Sequence, residues 1–565
     1  MSTDRRDFLK FLLGSSALGI ASSPLQTIIE AAIYKSLHTA YANTLGPEKF
    51  YFAITFPGAP PRWSYDLFLD PYGNSNKNVI TNGGVMNCFD NVNSSAYMEP
   101  VYKTVKIDKY GLTAPWMWGQ KMPAVGGGFV NISDLMEHMV IIQGVNTEAP
   151  GHPDSTVRME QANGYTVAGF LSDAVKSPFN GVDLQSGYPF ISKGGQGTTI
   201  ATFGNATTNI VSSLMSKFSS NNLQIYKSLD GNLRQSYQNV LDNLNYDTGV
   251  RNPATINIKK THEGALELIN SSIGNLNTIW NEKHSKYKAL VEKSFTDRSQ
   301  FKGYLDKKVG APVNSRGLLY QSGSATIRAL NPDLRDLAFA GMHNQMSQLF
   351  AVAEFLAENK LSSSLLGRVG NMTANMTIAA GSSPAARGVT HDQHNVGAAV
   401  STMTNSLMYR ALSSCLYEFI NNRKTSGKGY SFNDMVIKLS GEFNRSPRID
   451  GTGSDHGFQA QVCTLFSGTI DAQTPKVIGR IYKDGTAPGL SLVGTNYKGS
   501  WGIGAPLNIE QGPVTLTPGH VHSTVCELLG IPTPANNNVG LLQVIGGKAR
   551  QSTHANEDIK LKVVG

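Results

Sequence analysis

Apolar residues in this chain gather into short unbroken runs, separated by stretches where they recur every three or four positions. The runs are Phe50 to Phe56 (FYFAITF), Met139 to Gln143, Met376 to Ala380, Met435 to Leu439 and Val462 to Phe466. Each is closed by glycine, proline or a polar loop, which predicts buried strands. The helix-period stretches lie between them. One starts at Pro153-Asp154-Ser155-Thr156, runs through Val157, Gln161 and Val167, and ends near Asp173. Others cover 209–244, 261–295, 333–359 and 395–423, with a short one at Ser523 to Leu529 closed by Gly530. Alternation of such strands and helices predicts an α/β fold: a doubly wound, mostly parallel sheet with helices on both faces.

Two further expectations follow from the polar positions. The 209–244 and 261–295 stretches are polar on most faces, which predicts a helical cap inserted at about 205–330, after a short β-like piece at 197–204. The connection from Pro57 to Gly128 is rich in Asn, Gly and Tyr and predicts a surface excursion. The 333–359 helix is more apolar and should pack on the sheet. No repeat of fixed period is visible.

The N-terminus changes the picture first. Arg5-Arg6 is followed by Asp7-Phe8-Leu9-Lys10 and a weakly apolar stretch from Phe11 to Leu25, with Ala40-Tyr41-Ala42 offering a cleavage site before Asn43. This pattern predicts a twin-arginine export signal over 1–42, hence delivery to the periplasm or beyond, with 43–565 forming the folded domain. The apolar stretch is too short and too rich in Gly and Ser to give a stable membrane span.

Composition adds limits. The 565 residues allow one large core with insertions. The charged fraction is 16% and the net charge +8, spread along the chain without a basic block. That predicts no nucleic-acid partner and at most a mild preference for anionic ligands. The cysteines (Cys88, Cys415, Cys463, Cys526) form no C-x-x-C pair, and Cys415 and Cys463 fall in apolar segments as buried thiols.

Candidate chemistry collects where strands end. After Met435 to Leu439 the chain reads Ser440-Gly441-Glu442-Phe443-Asn444-Arg445-Ser446-Pro447, then Gly453-Ser454-Asp455-His456-Gly457. After the third strand candidate comes His391-Asp392-Gln393-His394, just ahead of the 395–423 helix. Gly151-His152 precedes the helix start at Asp154-Ser155, and His520 and His522 sit ahead of the last helix. Carboxylate and neutral imidazole are ligands for zinc or manganese, and Arg forks match phosphate or sulfate oxygens. Each group also has a plain structural use: Asp154 or Ser155 as a helix cap, His391-Asp392 as another, and the loop charges as mutual ion pairs.

Taken together, the twin-arginine signal, Asp392-Gln393-His394 before a long helix, the Ser440–Pro447 and Gly453–Gly457 segments and the closing Thr517-to-Pro532 stretch resemble the secreted "domain of unknown function 1501" family. That family is related to the alkaline phosphatase and sulfatase superfamily, and the likeness covers most of the mature chain in order. It implies a metal-dependent hydrolase of phosphate or sulfate esters. Its divalent metal would be zinc, with manganese, magnesium or calcium as alternatives. The carried-over ligands are Asp392, His394, Glu442, Asp455 and His456, with His522 added from the terminal segment. Ser155 would be the nucleophile, Arg445 or Arg158 would clamp the anion, and His152 would be a ligand or general acid. The chain departs from the pattern at the end of its first strand, which reads Phe56-Pro57-Gly58-Ala59-Pro60-Pro61 with no acid before Asp66. Gly441 is extra, and Asn444 replaces a Gly. These departures keep a second expectation open, an exported binding or surface protein that retains the fold without the catalysis.

Overall fold

The computed structural model describes residues 48–68, 104–148, 151–192, 281–301, 342–479 and 507–552 with short breaks, and isolated strands at 88–93, 97–101, 201–202, 319–322, 325–328, 482–483 and 487–488. The arginine pair, the 1–42 segment, the 209–244 stretch and the first part of the 261–295 stretch lie outside the described residues.

The frame is one eight-stranded sheet. Its strands, in chain order, are β1 (Phe50–Phe56), β2 (Met139–Val145), β3 (Val182–Asp183), β4 (Ala201–Thr202), β5 (Ser364–Arg368), β6 (Met435–Gly441), β7 (Gln461–Phe466) and β8 (Val477–Ile478). They lie in the order β4-β3-β5-β1-β6-β7-β2-β8. All run the same way except β7, which is antiparallel to β6 and to β2. The mixed α/β class and the mostly parallel sheet thus stand as expected.

Side-chain alternation explains the layering. Along β1, Phe50, Phe52, Ile54 and Phe56 enter one core while Tyr51 and Ala53 enter another. Period-two alternation with both faces apolar demands cover on both sides. On one face the cover is α3 (281–296), α4 (Met342–Glu358) and α5 (Ala398–Thr425). On the other it is α1 (His152–Glu160), α2 (Val167–Ala174) and α6 (Pro518–Leu529).

Several expectations are corrected. The sheet strand between α4 and α5 is Ser364–Arg368, not 376–380. Met372–Met376 instead forms a separate hairpin with Ala385–Val389. Periodicity favoured the wrong one, since Met372–Met376 is apolar at alternate positions while Ser364–Arg368 is short and mixed. The helical reading of 153–173 breaks in two, because 161–162 and 165–166 pair as a tight hairpin around Gly164 (φ 84°). The last helix starts five residues earlier than expected, at Pro518, with Thr517 as its N-cap, so His520 and His522 lie inside it.

In its described parts the connection after β1 is not a surface excursion. Trp63, Tyr65, Leu67, Phe68, Trp116, Met117 and Trp118 are buried in the first core. Tyr65 stacks between Trp118 and Tyr409, at centroid distances of 5.1 and 4.5 Å. A few large aromatics supplied enough buried area to outweigh a polar average. The 281–296 helix, likewise, is no detached cap. Tyr287, Leu290, Val291 and Phe295 are buried, and Lys283, Lys286 and Tyr287 all reach the Glu354 carboxylate of α4. Cys415, Cys463 and Cys526 are free and buried, as expected for the first two. Among the described residues no helix is long and apolar enough to cross a membrane.

Candidate functional site

Parallel strands deliver their following loops to one edge of the sheet, and the register of β1 on β6 decides which loops meet. Phe56 pairs with Gly441, so the chain leaves both strands side by side. Two residues on, the Gly58 N–H donates to Glu442 Oε2 at 3.0 Å. Gly58 has φ 81°, and a Cβ there would lie 2.8 Å from the Asp392 nitrogen. Only glycine lets the two backbones approach this closely.

The 391–394 loop arrives from the neighbouring strand. β5 leads into the 372–389 hairpin, which returns to the same edge at Thr390. The Gln393 carbonyl accepts from the Ser454 N–H at 2.9 Å, fixing this loop against the strand that carries His456. That strand, Ser454–Gly457, is one arm of a hairpin with Asn444–Pro447, in which Arg445 faces His456. Because β7 runs antiparallel, the chain turns back at the site edge, so the single β6-to-β7 connection supplies Glu442, Arg445 and His456. β2 brings the fourth contribution, with His152 at the first position of α1.

Four side chains converge. His152, Asp392 and His456 each present a ligand atom within 4.8 Å of the others. His152 Nε2 lies 3.6 Å from Asp392 Oδ2, and His394 Nε2 lies 3.4 Å from Asp392 Oδ1. The Nε2 atoms of His394 and His456 face each other at 3.0 Å. Two ring nitrogens so close need a proton or a cation between them. Phe443 forms one wall, with its ring centroid 4.1 Å from that of His456 and 4.7 Å from that of His152.

The surrounding groups fix charge and tautomer. Glu442 pairs with His152 Nδ1, which leaves Nε2 of that ring toward Asp392. Hydrogen bonds to Asp392 and then Glu442 raise the His152 pKa to about 9, against the effect of burial. For Asp392, burial pushes upward, but the bond to His152 and the charge of Arg445 win and hold it well below the carboxylate range. The α1 N-terminus adds its positive end near these carboxylates. Two imidazoles and a carboxylate suit zinc or manganese better than magnesium or calcium, which prefer oxygen ligands throughout.

The sequence-predicted residues sort unevenly. Asp392, His394, His456 and His152 come together, with Glu442 behind His152. Arg445 is fully buried and gives its Nε and one terminal nitrogen to the Gly58 and Ala59 carbonyls and to Asp392, so it holds that carboxylate against the β1 exit. Ser155 is also fully buried, in the first turn of α1, which does not suit an attacking nucleophile. Arg158 is exposed and reaches the Thr147 carbonyl at 3.4 Å.

His522 belongs to a different cluster. It is buried against α1, with Nε2 3.4 Å from the Met159 carbonyl, and burial plus the charge of Lys438 push it down to about 3. His391 is buried under Gly58, pushed down to about 3 by burial against a weak pull from the Pro57 carbonyl. Asp66, the first acid after β1, pairs with Arg62 and accepts from Thr464 at 2.6 Å inside the core. The backbone of Asp455 pairs with Ser446, and its side chain lies outside the described residues.

Sequence reading missed Gly58 and Phe443. The Pro57-Gly58 step after an apolar strand marked a sharp turn, but nothing local to it named Glu442 as the partner. Compared with protein-family models, with curated proteins and with solved structures, the chain finds no match.

Proposed function

We propose that this chain is a metal-dependent hydrolase of phosphate or sulfate esters on an alkaline-phosphatase- or sulfatase-like frame, exported through its Arg5-Arg6 signal. The observation that carries the reading is the meeting of His152, Asp392 and His456 at the sheet edge. Their atoms come from three strand-end loops, the place where open α/β sheets put their chemistry. His152, Asp392 and His456 would hold the ion, and His394, whose ring faces His456, completes the set. When bound, a divalent ion supplies Lewis-acid stabilisation of charge on the ester oxygens. The protein's own part is to hold that place rigid. Arg445 locks Asp392 to the β1 exit, Glu442 fixes the His152 tautomer, and Phe443 excludes water from one side.

A second reading, an ion-holding binding protein without catalysis, is favoured by the burial of Ser155 and of Arg445, whose Nε and one terminal nitrogen are bonded to the protein itself. Metal analysis of purified protein, paired with hydrolysis assays on aryl phosphates and aryl sulfates, separates the readings. Bound zinc or manganese with turnover supports the hydrolase. Bound metal with no turnover on any ester supports the binder, and absence of metal after incubation with zinc removes both. For the export signal, replacing Arg5 and Arg6 by Lys should retain the protein in the cytoplasm, since the pair is read as an address rather than as charge.

A further inference from the structure

The helix that carries His152 is pinned at both ends to one strand and its exit. α1 (His152–Glu160) spans about 12 Å, and the four strand steps from Lys438 to Glu442 span about 13 Å. At the site end His152 Nδ1 pairs with Glu442, which also accepts from the Gly58 N–H at 3.0 Å. At the sealed end Lys438 pairs with Glu160 and donates to the Met159 carbonyl at 2.8 Å. Tyr51 donates to the second Glu160 oxygen at 3.1 Å. The two ion pairs have opposite polarity, for the helix brings the base at one end and the acid at the other. A helix laid the other way would set Glu160 against Glu442, so the pairs fix its direction as well as its place.

Such pins matter because α1 has little apolar surface to hold it. Nine residues are too few for a helix to stand on its own propensity. Among its described side chains Met159 enters the second core, while the buried Ser155, Thr156 and Glu160 are polar. The demand at its other end is strict, since a ligand nitrogen serves an ion only within about 0.5 Å of the right place. We propose, on the metal reading and as an extension of it, that Glu160 and Lys438 are positioning residues for His152. Their pair anchors the C-terminal end of α1, so that the first turn offers Nε2 toward Asp392 and His456 from one fixed place. Both act through the helix, from a cluster that is itself fully buried.

Two variants of the full-length protein separate position from stability. Glu160→Gln keeps the shape of the side chain, and its amide still meets Lys438 and Tyr51, but the buried ammonium loses its counter-charge. Lys438→Met with Glu160→Met removes both charges together and leaves an apolar match, at the loss of the bonds that pin the helix end. In urea the first should be the less stable and the second close to the parent. Zinc affinity should run the opposite way. It should stay within about twofold of the parent in Glu160→Gln and weaken by about tenfold or more in the double variant, the lower end of what losing a group behind a ligand costs. The visible spectrum of the cobalt(II)-loaded protein, which reports ligand geometry, should shift only in the double variant.

Parent-like zinc affinity in the folded double variant overturns the positioning role and leaves the metal reading intact. A parent protein that takes up no zinc overturns the metal reading and the positioning role with it. Should the double variant not fold, Tyr51→Phe takes its place, since it frees one Glu160 oxygen and leaves the charges matched. Zinc should then weaken by about threefold, toward the lower end of what one net hydrogen bond is worth, with a shifted cobalt spectrum. An unchanged affinity and spectrum in that variant overturn the positioning role.

Discussion

Two charged clusters hang from the same strand and could hardly differ more in setting. Within β6, Lys438 is fully buried and pairs with Glu160 at the end of α1, while Tyr51 donates to the same carboxylate at 3.1 Å. The Lys438 ammonium also reaches the Met159 carbonyl at 2.8 Å. Four residues further on, Glu442 enters a cluster in which side-chain exposure is 30% for His152, 39% for Asp392 and 33% for His394. The first cluster has matched charges and no route to solvent. The second is open, and the Nε2 atoms of His394 and His456 face each other at 3.0 Å. Matched and sealed charges build a scaffold, whereas crowded and open ones leave room for something to bind. Burial alone would have ranked them the other way.

The comparison can be broken at its sealed end first. Lys438→Met leaves Glu160 buried without its cation and should cost about 3–5 kcal/mol, seen as a loss in urea unfolding. The double change with Glu160→Met should recover most of that loss. If the single variant is nearly as stable as the parent, the pair is no scaffold. At the open end the largest effect should be on metal, not stability. Asp392→Ala or His456→Ala should weaken zinc binding by about 100-fold or more, judged against the 10–100-fold cost of losing an outer-shell partner. The metal-free His456→Ala form should unfold within about 1 kcal/mol of the parent, because that ring is partly solvated already, whereas Asp392→Ala also strips the buried Arg445 of its carboxylate and should cost more.

A proton competes for the open cluster. In the metal-free protein the His152 ring should titrate near pH 9 by NMR, well above an ordinary imidazole. Since the folded-state value is raised, the stability it contributes is complete below about pH 6.5 and fades as pH climbs through about 9. Zinc needs the neutral ring, so its apparent affinity should rise by about tenfold per pH unit across that same interval. A midpoint at the ordinary imidazole value would contradict the contacts with Asp392 and Glu442. The smallest expected effect belongs to Arg158→Ala. It should move zinc affinity less than about twofold and stability by less than about 0.5 kcal/mol, since the side chain is exposed.

Much of this was legible in the chain before folding. The β1, β2, β6 and β7 runs were visible because a strand buried on both faces is apolar at nearly every position. Asp392, His394 and His456 stood out because such residues at strand exits are unusual. Other parts were hidden for identifiable reasons. β5 reads Ser364-Leu365-Leu366-Gly367-Arg368, too short and too mixed to outrank the hairpin segment after it. The direction of β7 depends on a return loop that no local pattern encodes. The burial of Trp63 to Phe68 depends on α5, which lies more than 300 residues away in sequence and whose Tyr409 and Ser413 receive Tyr65. The distinction between Glu442 as ligand and Glu442 as the partner of His152 needed the Gly58 N–H, which only tertiary structure could supply.

The reversed strand β7 has a consequence for the order of assembly. By folding back at the site edge, the connection around it brings Arg445 and His456 into place as a local hairpin, formed from neighbours in sequence. Asp392 and His152 reach it only after β5, β1 and β2 have docked across long chain separations. No small fragment therefore holds a complete ligand set, and a nascent chain has nowhere to keep an ion. On the metal reading proposed above, loading would follow completion of the sheet, so the compartment in which folding finishes would be the one that chooses the metal. A chain carried across the membrane already folded would leave with the ion it met inside, and one threaded through unfolded would take whatever the far side offers.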